Sequence, residues 1–268
     1  MPATKEVIWN GVSSATIPSL VIGKVTRKLL GKDRTVYRDI PGREGAWIFP
    51  EQRGMREIRM ECFVQVDSFP IARRDAFDEV ASWLGRVMGQ STLTISDEPN
   101  VYYEGVLGEP PDPDEWREAG TFEILFTVQP YALGLAVTTH TVTGDDNFSH
   151  TWDPDIEIPT DPVIEVTPTD GTLLGFELAI NGNTLIWAGT LADDTTLTID
   201  GVNVVVLTGS VGDVSLTGAY NPANLNMEGV FGTFPTLIPG NNIMTFVKTG
   251  GTATAVTIVI KYRKRYHR

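Results

Sequence analysis

The chain has 268 residues, 41% of them apolar, and a formal net charge of −13. That length holds one large domain or two ordinary ones, and the apolar share supplies a core, which excludes a disordered chain. The acidic balance excludes general attraction to DNA, RNA or an anionic membrane surface.

The N-terminal stretch MPATKEVIWNGVSS lacks the apolar run of a signal peptide, and runs such as VVVL at 204–207 are too short to span a bilayer. The expectation is a chain made in the cytoplasm that leaves the cell only inside a larger particle. VIWNG (7–11), TVYRDI (35–40) and IRMECFVQV (58–66) read as short strands from their branched and aromatic residues. The one cysteine, Cys62, lies in the last of these. It reads as a strand residue of a protein made in a reducing compartment, with no disulfide and no thiol catalysis.

The segment SFPIARRDAFDEVASWLGRVMGQ (68–90) predicts the one helix. Phe77, Val80, Ala81, Leu84, Val87 and Met88 recur at three- and four-residue steps, while Arg73, Arg74, Asp78 and Glu79 face elsewhere. Pro70 fits its first turn and Gly89 its stop. STLTI (91–95) and VYYEGVL (101–107) then flank SDEPN as a hairpin. Asp97, Glu98 and Glu104 with Tyr102 and Tyr103 resemble the carboxylate pair of a glycosidase. The hairpin reading is preferred: it makes Asp97 and Glu98 solvated turn residues whose pKa values have no reason to move, and sets Glu104 opposite Tyr103.

Composition shifts near YALGLAVTT. Residues 1–134 carry 15 Lys/Arg against 20 Asp/Glu, and residues 135–268 carry 6 against 14, with the cations gathered in IKYRKRYHR. A boundary near residue 135 follows, giving domains 1–135 and 136–268. One amphipathic helix among strands makes the first domain α+β. In the second, the turn signals TDG, NGN, ADD, DG, TGS and PGNN separate short strands from FELAI (176–180) to AVTIVIKYR (255–263), which predicts a β-sandwich or jelly roll without helices.

No catalytic, cofactor or metal site emerges. His150, Asp153 and Asp155 match no zinc or calcium spacing, and there is no nucleophile elbow or phosphate-binding glycine motif. The basic tail KYRKRYHR reads as a strand end whose charges meet the acidic remainder of its domain or a neighbouring subunit, ahead of a nucleic-acid site. Trp152 and Trp187 could stack on sugars, although core packing is the commoner use of such residues. In FPTLIPGNN (233–242 with its preceding Thr), Pro239 and Gly240 set a reversal, Asn241 and Asn242 bond the turn, and Phe234, Leu237 and Ile238 plug the sandwich end.

The order of elements resembles the distal tail protein family of siphovirus-type bacteriophages, those with long non-contractile tails. The first half carries it in DIPGREGAWIFPEQRGMREIRMECFV, the helix, the hairpin TLTISDEPNVYYEGVLGE and EAGTFEILFTVQPYALG. The second carries it in DPVIEVTP, FGTFPTLIPGNNIMTFVKTG and the closing VTIVIKYRKRY. The resemblance implies a mainly β chain with one helix, an α+β ring-forming domain followed by a galectin-like β-sandwich at the periphery. It implies a non-enzymatic homo-hexameric ring at the distal end of the tail tube. Its partners would be the tail tube protein, the tail-tip, fibre or tail-lysin protein, and a receptor-binding protein, with phage DNA as passing cargo. The polar loop 41–57, with Arg43, Arg53 and Arg56, is the candidate subunit or tube contact, with an ordinary surface loop as the equal alternative. A second reading of the whole chain is a carbohydrate-binding module that takes host cell-wall sugar through the sandwich, and a third is a peptidoglycan glycosidase using Glu98 and Glu104.

Overall fold

Asn10 and Gly11 both take positive φ, 49° and 74°, which suits the Asn-Gly pair and closes the first hairpin, β1 (Val7–Trp9) with β2 (Val12–Ser13). The Ser13 hydroxyl accepts from the Ala15 amide and so caps a single 3-10 turn, Ser14–Thr16. The computed structural model describes residues 5–28, 33–34, 37–39, 46–48, 52–65, 71–86, 89–111, 120–208 and 230–267. The chain divides into two compact units, Met1–Leu135 with Tyr266–Arg268, and Ala136–Arg265. It is mainly β, and among the described residues one α-helix occurs and no helix is long and apolar enough to cross a membrane.

In the first unit, β3 (Leu20–Arg27) is followed, among the described residues, by four short strands, β4 (Asp33–Arg34), β5 (Tyr37–Asp39), β6 (Ala46–Ile48) and β7 (Gln52–Arg53). β5 pairs with β6 and β4 with β7, so the described parts of the stretch read from sequence as a loop at 41–57 include two strand segments paired with residues 33–39, and the start of β8. Then come β8 (Arg56–Val64), α1 (Ile71–Leu84), β9 (Ser91–Ile95), β10 (Val101–Leu107), β11 (Gly120–Val128) and the start of β12 (Ala132–Gly144). Antiparallel pairing gives the order β3-β8-β11-β10-β9-β1-β2. Strict alternation along β8 sends Ile58, Met60, Cys62 and Val64 into the core. Burial pushes the Cys62 thiol up to about 12, so it is inert as a nucleophile at neutral pH.

The helix forms where the periodicity placed it, but its buried stripe is Ala76, Val80, Trp83 and Leu84. Ala81 is exposed and Phe77 half-buried, while Val87, Met88 and Pro70 lie outside the described residues. Rotating the stripe toward Trp83 lets its indole donate to the Val12 carbonyl at 3.0 Å, an anchor that an apolar count does not weigh. Phe77 meets Phe122 edge-on, with centroids 6.0 Å apart.

Among its described residues the second unit holds the end of β12 and nine further strands. They are β13 (Asn147–Trp152), β14 (Val163–Thr169), β15 (Leu173–Ile180), β16 (Asn183–Trp187), β17 (Leu197–Asp200), β18 (Val205–Thr208), β19 (Val230–Gly232), β20 (Asn242–Gly251) and β21 (Ala255–Tyr266). One sheet runs β18-β17-β14-β21-β12 and the other β13-β20-β15-β16-β19. Ile164, Val166, Ile199, Ile258 and Ile260 from the first share one core with Phe176, Leu178, Trp187, Met244 and Phe246 from the second. That is a β-sandwich, with no helix among its described residues. Its turns use residues suited to positive φ: Asp170–Gly171, Asn181–Gly182, Asp194 and Gly240.

Candidate functional site

The hairpin between β9 and β10 gathers a dense set of charged side chains. Lys5 Nζ lies 2.8 Å from Asp97 Oδ2, and Arg27 donates to Asp97 Oδ1. Arg27 Nε also lies 3.7 Å from Glu98 Oε2, and the Tyr103 hydroxyl donates to that same carboxylate. The Arg56 guanidinium, on a residue only 3% exposed, sits over the Tyr103 ring at 5.6 Å. Desolvation alone would raise the Asp97 carboxyl, but hydrogen bonds from Lys5 and Arg27 outweigh it and hold it below the usual range. Burial, reinforced by Glu98, pushes the Tyr103 phenol well up. Burial lowers Arg56, against the pull of Tyr103 and Glu98.

This corrects the picture of a solvated turn. Asp97 and Glu98 occupy the hairpin, as expected, but they tie the N-terminal segment, β3 and β10 together. Glu104 points the other way and accepts from Gln90 Nε2 at 3.0 Å. The arrangement therefore locks carboxylates to cations and offers no free acid paired with a free base. The described clefts flank α1 instead. The larger, about 580 Å³, is lined by Val12, Asp75, Asp78, Glu79, Trp83 and Arg86 among others, and neither Glu98 nor Glu104 reaches it.

Of the candidate contact residues, Arg53 is exposed; its guanidinium contacts the His267 ring and lies 5.8 Å over Tyr131. Arg56 opens β8 pointing into the domain, in the Tyr103 cluster, and not outward as a loop cation. Arg43 lies outside the described residues.

In the sandwich, Trp187 is fully buried and Trp152 is 8% exposed, so neither presents a ring face for sugar. The basic strand end behaves as its alternation implied: Tyr262 is buried, and its hydroxyl donates to the Pro154 carbonyl at 2.9 Å. Lys261 pairs with Glu165 at 3.0 Å, Lys264 with Asp155 at 2.6 Å and Arg265 with Asp161 at 3.2 Å. These cations meet acids of their own unit. At the sandwich end, Asn242 is fully buried; its Oδ1 accepts from the Ile238 amide and its Nδ2 donates to the Ile238 and Gly240 carbonyls. Leu237 is buried and Phe234 packs on the core, but Ile238 is 40% exposed and does not plug it.

Two arrangements escaped the sequence reading. The Tyr103–Glu98–Arg27 set joins residues far apart in the chain, and no local pattern signals it. The His140, His150 and Trp152 rings cluster across the short turn after β12. Their common inward register on two strands was visible in the alternation and was the signal to follow.

Residues 20–128 match the family model described as the phage tail protein RIFT-related domain. Among solved structures, the Dit (gp 19.1) protein of SPP1, described as a paradigm of hub adsorption apparatus in phages infecting Gram-positive bacteria, is similar with a TM-score of 0.72 at 17% identity, over 98% of this chain and 99% of that one. The phage p2 baseplate in its activated conformation with Ca gives a TM-score of 0.47 at 10% identity, over 98% of each chain. No curated protein sequence matches. Residues 20–128 thus match a phage tail domain, and nearly the whole chain shares the fold of SPP1 Dit, which is the fold that the resemblance to the siphophage distal tail proteins implied.

Proposed function

We propose that this chain is a structural hub component of a phage tail, without enzymatic activity. The observation that carries the reading is the agreement of two separate likenesses: a phage tail domain at 20–128, and a whole-chain fold shared with a protein described as a tail hub. The chemistry agrees with it. The hairpin acids are bound to cations, the tail cations are bound to acids, and the surviving role is to present surfaces. Six copies form a closed ring at the distal end of the tail tube, with the first domain making the ring and the sandwich projecting outward. One face of the ring meets the tail tube protein, and the other meets the tail-tip, fibre or tail-lysin protein. The ring is assembled in the host cytoplasm and ends in the virion tail. Arg53, and Arg43 beyond the described residues, belong to the contact with a neighbouring copy or the tube; Arg56 is withdrawn from that set by its burial. The net charge of −13 suits a channel through which duplex DNA slides without sticking.

Light scattering and negative-stain microscopy test this directly. The expected result is a sixfold ring, alone or when mixed with tube protein. A strict monomer that joins neither tube nor tip protein would overturn it.

A further inference from the structure

His140 on β12 and His150 on β13 stand on strands of opposite sheets. Among the described residues β13 is the end strand of its sheet, paired only with β20, and β12 beyond residue 135 has β21 as its neighbour. The two imidazoles meet across the gap between these edges. Their Nε2 atoms are 2.9 Å apart while the ring centroids are 5.0 Å apart and the planes are inclined by 28°. Nitrogens so much closer than the centroids must lie between the rings and point at each other. The contact is an end-on N–H···N hydrogen bond and not a face-to-face stack. Trp152 lies parallel to His140, at 7° and 5.1 Å, and closes the cluster toward the core.

We propose that this histidine pair is an acid-sensitive clasp that holds the two sheet edges of the sandwich together. The proton count decides its behaviour. In the neutral pair, one Nε2 carries hydrogen and the other accepts it. A first added proton goes to the donor ring's Nδ1, and the contact persists. A second must go onto the accepting Nε2, which sets two N–H groups head to head and breaks the contact. The surroundings do not rescue the doubly charged form. His140 is held below the ordinary histidine range first by burial and then by the charge of His150, with no carboxylate among the causes. The charged groups on neighbouring elements have partners of their own: Asp146 with Lys248 of β20, Asp155 with Lys264 of β21, and Glu165 of β14 with Lys261. Asp153 accepts from the Asp155 amide, and the buried Tyr262 hydroxyl is spent on Pro154. A depressed histidine favours the closed sandwich above the unfolded value near 6.5, and that advantage is lost as pH falls from there through the folded value.

Hydrogen exchange of the full-length chain at pH 7.5 and pH 5.0, corrected for intrinsic rates, reads the clasp. Amides of residues 136–152 should open about fivefold more at pH 5.0, while β14 and β17 amides stay unchanged. In His150→Gln the side-chain carbonyl accepts from His140 Nε2 whatever the charge, so the rise should shrink to the part that burial of His140 alone causes. His140→Gln is the mirror variant and serves if the first does not fold. Wild-type exchange that does not change with pH, or a Gln variant with the full wild-type rise, overturns the proposal.

Discussion

The Asn242 amide is fully buried, and both its oxygen and its nitrogen are engaged, including a 2.6 Å bond from Asn181 Nδ2. Removing it strands the Ile238 amide and two carbonyls inside the turn. Asn242→Ala should therefore lower unfolding free energy by about 2–4 kcal/mol in denaturant titration, whereas the exposed Asn241→Ala should be near neutral. Tyr103→Phe keeps the ring under Arg56 but deletes the donor to Glu98. A loss of about 1–3 kcal/mol is expected for a hydrogen bond to a charged group, seen as a lower Tm. Asp97 adds a pH signature. Its folded pKa is depressed, so its contribution is present above the unfolded value near 3.9 and is lost as pH falls through the folded one. The stability gap between wild type and Asp97→Asn should be open at pH 6 and close progressively below about pH 4; a gap that is constant down to pH 3 would exclude the ion-pair account.

At the scale of elements, glycine placement separates two kinds of constraint. Gly251 closes the irregular β15–β20 pairing with φ of 111°, and an added Cβ would fall 2.1 Å from the Thr172 carbonyl oxygen. Gly182 also has positive φ, 84°, but open space around it. Gly251→Ala should cost about 3 kcal/mol or more and Gly182→Ala about 1 kcal/mol, read as the difference between two unfolding midpoints. The Gly182 turn was legible in NGN, because a local φ requirement writes itself into local sequence. So were β8, through the alternation of IRMECFV, and α1, through its period. The backbone crowding at Gly251 was not, because the atoms it avoids belong to another strand. The same reason explains the helix stripe: Trp83 turns inward for a carbonyl on β2, which no helical window contains. It also explains the hairpin acids, whose cations come from the N-terminal segment and β3. What depended on chain-local geometry could be read, and what depended on which charges the fold brings together could not.

At the scale of the whole molecule, the decisive fact is that each unit has its own apolar core, one built around Trp9, Met60, Tyr103 and Phe126, the other around Phe176, Trp187 and Phe246. Separate cores permit separate failure. If the first domain makes the ring and the sandwich is peripheral, damage to the second core should leave assembly intact. Trp187 is the probe of choice, fully buried and packed on Phe176 with centroids 5.5 Å apart. Trp187→Ala should cost the sandwich about 3–5 kcal/mol, seen as a calorimetric transition moved to lower temperature. A Met60→Ala change of about 2–5 kcal/mol in the other core should instead reduce the assembled fraction in light scattering. The two variants thus exchange signatures, one thermal and one in particle mass. If Trp187→Ala dissolves the ring as readily as Met60→Ala does, the sandwich is part of the ring's own contacts, and the division of labour between the domains is wrong.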